Sequence, residues 1–288
     1  MKRNSISVVM ATYNGKKYIR EQLESIFNQT CLPDEIIIAD DCSSDETLDI
    51  VNEFKTQKNI KINSYGNPQN LGYIKNFKTA ISKAKGDYIF LCDQDDVWEN
   101  NKIEKTITIM EKEGAEIACT GFWLVDANGD FIEDTFIYNS DPICGYEKWT
   151  NQVKTITVAR LIWGNFSPGC TYCFTKRVQE TFNNLKNVEI SHDFQLLIIG
   201  AYHHAAIYID EPLSRYRLHG ANTIGMNKKE AKRKRHFKPR LIRFMDELDK
   251  YEKINRSFRT NVILYCRIPK IRSMIIHKLH LKNSINLE

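Results

Sequence analysis

Short apolar runs alternate with longer amphipathic stretches through the first 125 residues. Ile6–Met10 has the length of a buried strand, and Lys16–Asn28 follows it with Ile19, Leu23, Ile26 and Phe27 at helical spacing. The rhythm then repeats. Glu35–Ala39 predicts a strand, and Asp45–Phe54 a helix with Ser43 or Ser44 placed to cap it. Ile60–Ser64 is a third strand, Asn76–Lys85 a helix stopped by Gly86, and Tyr88–Cys92 a fourth strand. Asn101–Lys112 is helical and Ile117–Leu124 extended. This order predicts an α/β fold, a mostly parallel sheet with helices on both faces. Ligands of such sheets sit outside the carboxyl ends of the strands, so the turns after them matter most.

From about 125 to 225 the pattern loosens. Asp126-Ala127-Asn128-Gly129 is a turn signal, Val178–Leu185 and Asp193–Gly200 read as helices, and Ala205–Ile209 as a strand. Arg215 and Arg217 alternate with Tyr216 on an extended stretch and so share a face. Beyond 226 the chain is charged and helical in pattern, broken by Pro239 and Pro269. Phe237, Leu241, Ile242, Phe244 and Met245 interleave with its first basic residues, and Ile271, Met274, Ile275 and Leu279 form a later apolar stripe. The expected division is a body over 1–225, in parts 1–125 and 126–225, and a basic helical extension over 226–288.

Composition adds three constraints. With 288 residues, 42% of them hydrophobic and 27% charged, the chain has globular composition, which excludes fibrous and wholly disordered classes. No apolar run approaches the roughly 20 residues of a membrane span, and the first residues lead into a strand without a cleavable-signal pattern. The eight cysteines then read as reduced thiols and the expected location is cytoplasmic. Cys170 and Cys173 are a close pair without the second pair that zinc requires. The net charge of +5 hides an asymmetry: residues 226–288 carry 18 Lys and Arg against 6 Asp and Glu, while the rest is acidic. A basic amphipathic extension suits an anionic membrane surface, or packs on the body with its basic face in water. No recognition-helix or aromatic-glycine motif supports nucleic acid as the partner.

Two of the turns after strands are acidic. In Asp93-Gln94-Asp95-Asp96, three carboxylates within four residues repel one another unless a cation neutralises them. Mg2+ and Mn2+ suit oxygen ligands of this kind, and a solvated turn at a helix start is the alternative. Asp40-Asp41 leaves two readings open: Asp41 caps the next helix, or it accepts hydrogen bonds from a nucleobase N–H or ribose hydroxyl. His203 and His204 read as a helix end, and Trp98 as packing beneath the acidic turn.

Four motifs occur in order: Val8-Val9-Met10-Ala11-Thr12-Tyr13-Asn14-Gly15, Ile37-Ile38-Ala39-Asp40-Asp41 with Ser43 and Asp45, Asn70-Leu71-Gly72, and Phe90-Leu91-Cys92-Asp93-Gln94-Asp95-Asp96-Val97-Trp98. Together they resemble the successive motifs of family 2 glycosyltransferases, over residues 6–125. The resemblance continues more loosely through Asn165, Gly169-Cys170-Thr171, Ser191-His192-Asp193 and Tyr216-Arg217-Leu218-His219-Gly220. It is similar there to the bacterial rhamnosyltransferase-like branch, which decorates cell-surface polysaccharides. It does not reach the basic extension.

The resemblance implies a GT-A fold and a set of roles. Ala11, Thr12, Tyr13, Asn14 and Asp41 fall where the family holds the uridine or thymidine of its donor, with Asn76, Asp93 and Gln94 completing the nucleotide-sugar site. Asp93 and Asp95 fall on the family's D-x-D metal motif, with Asp96 close by, and His219 falls where some members contact metal or phosphate. Asp193 takes the place of the catalytic base, while Trp163, Arg217 and His192 are candidates for acceptor or phosphate contact. Phe194-Gln195 departs from the aromatic pairs common in this branch and shifts the acceptor pocket. The implied activity is an inverting, metal-dependent transfer from a nucleotide diphosphate sugar, dTDP-rhamnose first, to a saccharide acceptor on a lipid carrier. A UDP-hexose donor and an inactive scaffold are the alternatives. A sugar nucleotidyltransferase would carry a Gly-rich phosphate loop where this chain has Thr12-Tyr13-Asn14-Gly15.

Overall fold

The computed structural model describes residues 3–57, 59–132, 149–161, 164–165, 167–185, 190–220 and 237–252. Trp163, the basic cluster at 228–235 and the apolar stripe at 271–279 lie outside them. The chain divides into two compact units, Met1–Asn184 with Ser191–Asn227, and Leu185–Ile190 with Lys228–Glu288.

The first unit opens as the sequence pattern predicts: β1 (Ile6–Thr12), α1 (Ile19–Phe27), β2 (Glu35–Asp40), α2 (Thr47–Lys55), β3 (Lys61–Gly66), α3 (Tyr73–Lys83), β4 (Tyr88–Asp93) and, after a turn, the two-residue β5 (Val97–Trp98). It continues through α4 (Lys102–Glu113), β6 (Ile117–Val125), β7 (Val153–Thr155), the one-turn α5 (Val158–Leu161), a 3-10 turn at Gly169–Thr171, β8 (Tyr172–Thr175), α6 (Lys176–Asn184), α7 (His192–Tyr202) and β9 (Ala206–Arg217). These strands form one nine-stranded sheet in the order β3-β2-β1-β4-β8-β6-β9-β5, with β7 beside β9.

β3, β2, β1 and β4 are mutually parallel and in register, so Thr12 lies level with Asp40 and Ala11 with Asp93. β1, β2 and β4 are nearly continuous apolar runs because both of their faces are covered. Ile6, Val8, Met10, Ile36, Ile38 and Phe90 form one core with Ile19, Leu23 and Ile26 of α1, Val51 and Phe54 of α2, and Ile103 and Met110 of α4. Each fully buried aliphatic side chain contributes about 1.5–3 kcal/mol. α3 packs on β1 and β2, with Phe77, Ala80 and Ile81 buried.

The second half adds what the sequence pattern shows poorly. β8 enters antiparallel between β4 and β6 and brings Cys170 to the end of β4. The stretch read as a five-residue strand at 205–209 is the start of the twelve-residue β9. Pro212 signals a break, but it lies opposite Gly121 at a register shift between β6 and β9, where the proline's missing N–H costs no rung. β9 therefore runs on to Arg217. In the second unit, α8 (Phe237–Glu252) is the described element, with Phe244, Met245 and Leu248 buried and Arg243 and Lys250 exposed.

Glu35 closes the amino end of the sheet. Its Oε1 accepts from Ser7 Oγ at 2.7 Å and Lys85 N–H at 2.8 Å, while Ser7 Oγ accepts from Gly86 N–H at 2.8 Å. A Cβ at Gly86 would stand 2.5 Å from Ser7 N and 2.8 Å from Tyr88 O, backbone atoms that cannot yield. Gly86→Ala is therefore expected to cost about 2 kcal/mol, within the range for overpacked cores. Gly66→Ala, where a Cβ meets nothing within 4 Å, should stay within about 0.5 kcal/mol in the same denaturant titration.

Candidate active site

The carboxyl ends of β1, β2 and β4 meet at one place, and side chains lace their turns together. Asp40, buried, accepts from Thr12 Oγ1 at 2.7 Å, Ser43 Oγ at 2.6 Å and Ser43 N–H at 2.8 Å. Ser43 Oγ accepts in turn from Asn14 N–H at 2.9 Å, and Asn14 Oδ1 from Ser44 N–H at 2.8 Å. Neither serine caps α2. Asp45 accepts from Thr47 N–H at the start of that helix instead, at 3.1 Å. Asn14 and Cys42 hold positive φ at 47° and 67°, an uncommon state for residues other than glycine that fits the tight turns.

Asp41 does not cap α2 either. Its carboxylate accepts from Asn67 Nδ2 at 2.9 Å, Leu71 N–H at 2.7 Å and Gly72 N–H at 2.8 Å. This explains why Asn70-Leu71-Gly72 travels with the acidic pair: the loop before α3 folds over Asp41. Asn76 sits behind it, buried, with Nδ2 on Ala39 O at 2.8 Å and Oδ1 accepting from Asn67 at 2.9 Å. Its amide therefore braces the wall between β2 and this loop.

The acidic turn is held from three sides. Gln94, expected to touch the donor, spends its amide on the backbone of Tyr13, accepting from N–H at 2.9 Å and donating to C=O at 3.0 Å. Arg217, fully buried, donates from Nε to the Asp95 carbonyl at 2.9 Å, from its backbone N–H to Asp96 Oδ1 at 3.0 Å and from Nη2 to Glu21 at 2.5 Å. Its guanidinium also lies 4.9 Å from the Tyr18 ring centre. This arginine supports the turn from behind. The His219 ring packs tilted against the same tyrosine, with ring centres 4.9 Å apart, and its Nε2 lies 2.8 Å from Asp95 Oδ2.

Asp93, Asp96 and Cys170 bring two carboxylates and a thiol within 4.8 Å of one another. Burial and the neighbouring Asp96, Asp95 and Asp193 push the Asp93 carboxyl well above the ordinary carboxylate range. Burial and Asp95 raise Asp96 to about 7. Asp96 Oδ2 is buried without a hydrogen-bond partner. Stacked carboxylates with an unsatisfied buried oxygen fit a divalent cation. Beneath them Lys102, wholly buried, donates to Ser214 Oγ at 2.6 Å and to the Cys170 carbonyl at 3.3 Å. Burial lowers its amine to about 8.

Asp193 stands across from this turn in the first turn of α7, whose N-cap is Ser191. Its charge acts on Asp93, and a Cβ at Gly169 would lie 3.0 Å from its own Cβ. Asn165 Nδ2 donates to Asp193 Oδ2 at 2.8 Å, and Tyr172 OH donates to Asn165 Oδ1 at 2.8 Å. His192 points elsewhere. It is buried, with its ring stacked on Phe77 at 4.2 Å and burial lowering it to about 4, so it is neutral packing at physiological pH.

The structure thus brings Ala11, Thr12, Tyr13, Asn14, Asp41, Asp93, Asp95 and His219 together at the carboxyl ends of β1, β2 and β4, with Asp193 near enough for its charge to act on Asp93. Residue by residue, the sequence pattern overlooked Cys170, Lys102 and Asn165. For Asn165 and Cys170 the loose Asn165–Gly169-Cys170 motif was the signal, and Lys102 had none.

The family model "Glycosyl transferase family 2" matches residues 7–216, which span every element just described from β1 to β9. The chain belongs to glycosyl transferase family 2. Among relatives of this family member, the putative teichuronic acid biosynthesis glycosyltransferase TuaG of Bacillus subtilis is 27% identical over 81% of this chain and 86% of its own. The dTDP-rhamnosyl transferase RfbG of Shigella flexneri is 31% identical, over 76% and 74%. The fold matches Staphylococcus aureus TarS 1–349, solved with UDP-GlcNAc, at a TM-score of 0.66 and 17% identity over 90% of this chain and 70% of that one. That likeness makes the fold GT-A.

A raised carboxyl means that the native family 2 domain keeps a proton the unfolded chain releases. Asp96 therefore favours folding at low pH, and that contribution is lost as pH rises from about 4 through about 7. Neutral His192 acts in the opposite direction between about 4 and 6.5. The Asp96 effect is thus read as a difference between variants. In chelator, the melting midpoint of Asp96→Asn should gain steadily on that of the unsubstituted protein between pH 5 and 7.5. A pH-independent difference would contradict the raised carboxyl.

Proposed function

We propose that this family 2 enzyme is an inverting, metal-dependent glycosyltransferase. It moves a sugar from a nucleotide diphosphate to a hydroxyl of a lipid-linked saccharide at the cytoplasmic face, in bacterial surface polysaccharide assembly. The observation that carries the reading is the placement of Asp193, oriented by Asn165, opposite the acidic turn. One carboxylate is positioned to take a proton, and a separate carboxylate group is suited to a cation.

Asp193 takes the acceptor hydroxyl proton as that oxygen bonds to the anomeric carbon and the bond to the donor phosphate breaks on the opposite face. Asn165 and Tyr172 fix the carboxylate for in-line attack, so less reorganisation is left for the transition state. Asp93, Asp95 and His219, with Asp96 behind them, would hold Mn2+ or Mg2+, whose chemistry is Lewis-acid stabilisation of the departing diphosphate. Tyr13, half exposed, offers a ring face to the base, and Asp41 has a lone pair left for a base N–H after its three internal bonds.

A dTDP-rhamnose donor is favoured by the likeness to RfbG, and a UDP-hexose is the second candidate. The Escherichia coli relative WfaP, 35% identical over 49% of this chain and 53% of its own, is named as a UDP-Glc transferase acting on a diphosphoundecaprenol-linked sugar. For the anionic-surface partner, α8 supports the charged half of the expectation. Its Arg243 and Lys250 are exposed, and its Phe244, Met245 and Leu248 are buried. Among the described residues, no helix is long and apolar enough to cross a membrane. Binding to anionic vesicles should then be lost at high salt, and salt-resistant binding would show that apolar insertion is responsible.

Thermal shift against dTDP- and UDP-sugars, with and without Mn2+, should show metal-dependent stabilisation by one base class. Silence across the panel in folded protein would favour a scaffold. Asp193→Asn should bind that donor with unchanged affinity while kcat falls by about 10²–10⁴. Asp95→Ala should instead abolish the metal-dependent part of the shift.

A further inference from the structure

β1 and β4 pair in register as far as Ala11 opposite Asp93, and beyond that point the two chains part. Gln94 is the first residue of β4's turn. Its side-chain amide makes to Tyr13 the two bonds a neighbouring strand would have made, accepting from N–H at 2.9 Å and donating to C=O at 3.0 Å. The amide offers both roles at once, whereas the isosteric carboxylate of Glu accepts but does not donate. The amide reaches Tyr13 through space that Gly15 leaves open. A Cβ on Gly15 would stand 2.1 Å from Gln94 Oε1 and 2.4 Å from Cδ. Gly15 is itself pinned, its N–H donating to Thr47 Oγ1 at 2.8 Å.

We infer that Gln94 is a positioning residue, seated on Gly15, which locks the Tyr13 turn to the acidic turn so that the two ends of the donor site keep a fixed separation. The inference rests on the donor-site reading above and adds a mechanism to it. Gln94 acts through the backbone of Tyr13, so its loss should loosen donor binding and leave the proton-transfer residue Asp193 in place.

The test is a double-mutant cycle over Gly15→Ala and Gln94→Ala, read by donor affinity, by the split between KM and kcat, and by melting midpoint. Each single variant should raise donor Kd and KM by about tenfold with kcat changed less than about threefold. Gly15→Ala acts by displacing the Gln94 amide, so in the Gln94→Ala background it should add less than about twofold. Gln94→Met, which fills the space without the hydrogen bonds, should behave as Gln94→Ala. An undiminished Gly15→Ala effect in the Gln94→Ala background would overturn the inference, as would wild-type donor affinity in Gln94→Met. If the unsubstituted protein binds no nucleotide sugar, the donor-site reading fails. The clamp is then still judged on melting midpoints, where Gly15→Ala should destabilise the unsubstituted protein and spare the Gln94→Ala background.

Discussion

Where β1 ends, the backbone leaves the sheet with four consecutive N–H groups, Tyr13 to Lys16, beyond the reach of any strand ladder. Of these residues Gly15 is buried, where an unpaired N–H costs as much as a lost hydrogen bond, and Tyr13, Asn14 and Lys16 are exposed. Each of the four is taken by a side chain from another turn: Tyr13 by Gln94, Asn14 by Ser43, Gly15 by Thr47 and Lys16 by Asp45. Polar residues of the family motifs are thereby committed before any ligand arrives. The turn they hold is rigid because its own hydrogen bonds are spent on its neighbours, and the exposed Tyr13 ring is what it presents to solvent.

The acidic turn faces the opposite difficulty, too much like charge in one place. The protein answers with Arg217, which binds the turn's backbone and Asp96 from the sheet side without ion-pairing to Asp93. Lys102 adds a second, wholly buried amine below Cys170. The Arg217 N–H and the Lys102 charge offset the repulsion between the carboxylates only in part, since Asp96 still rises to about 7. Part of their mutual repulsion is retained, and a site of this kind gains more from a bound cation than one already neutralised by its own side chains.

How much of this was legible followed from how local each cause is. Strands β1, β2 and β4 were clear because burial on two faces demands uninterrupted apolar residues, and the turns after β2 and β4 because acidic residues cluster there. Asp41 was ambiguous because its partners, Leu71 and Gly72, lie thirty residues on and bond through their backbone, which no side-chain pattern announces. Arg217 looked like a ligand clamp because alternation shows which face a residue takes but not what already occupies that face. His192 read as polar chemistry and proved to be packing, since only the fold shows Phe77 stacked against it. Lys102 opens α4, and nothing local in the sequence marks its amine as buried.

The register shift at Pro212 has a consequence for how such a site can change. β9 carries alternate residues to opposite faces, so the two register shifts against β6 that flank the Gly121–Pro212 pair decide that Arg217, and not Tyr216, arrives beneath Asp95. A one-residue insertion between Pro212 and Tyr216 would exchange a cation for a phenol under the acidic turn and displace His219 along with it, and a deletion would bring Leu218 there instead. Length variation in a strand remote from the donor is thus a route by which relatives could diverge in charge balance while every recognisable motif stays intact.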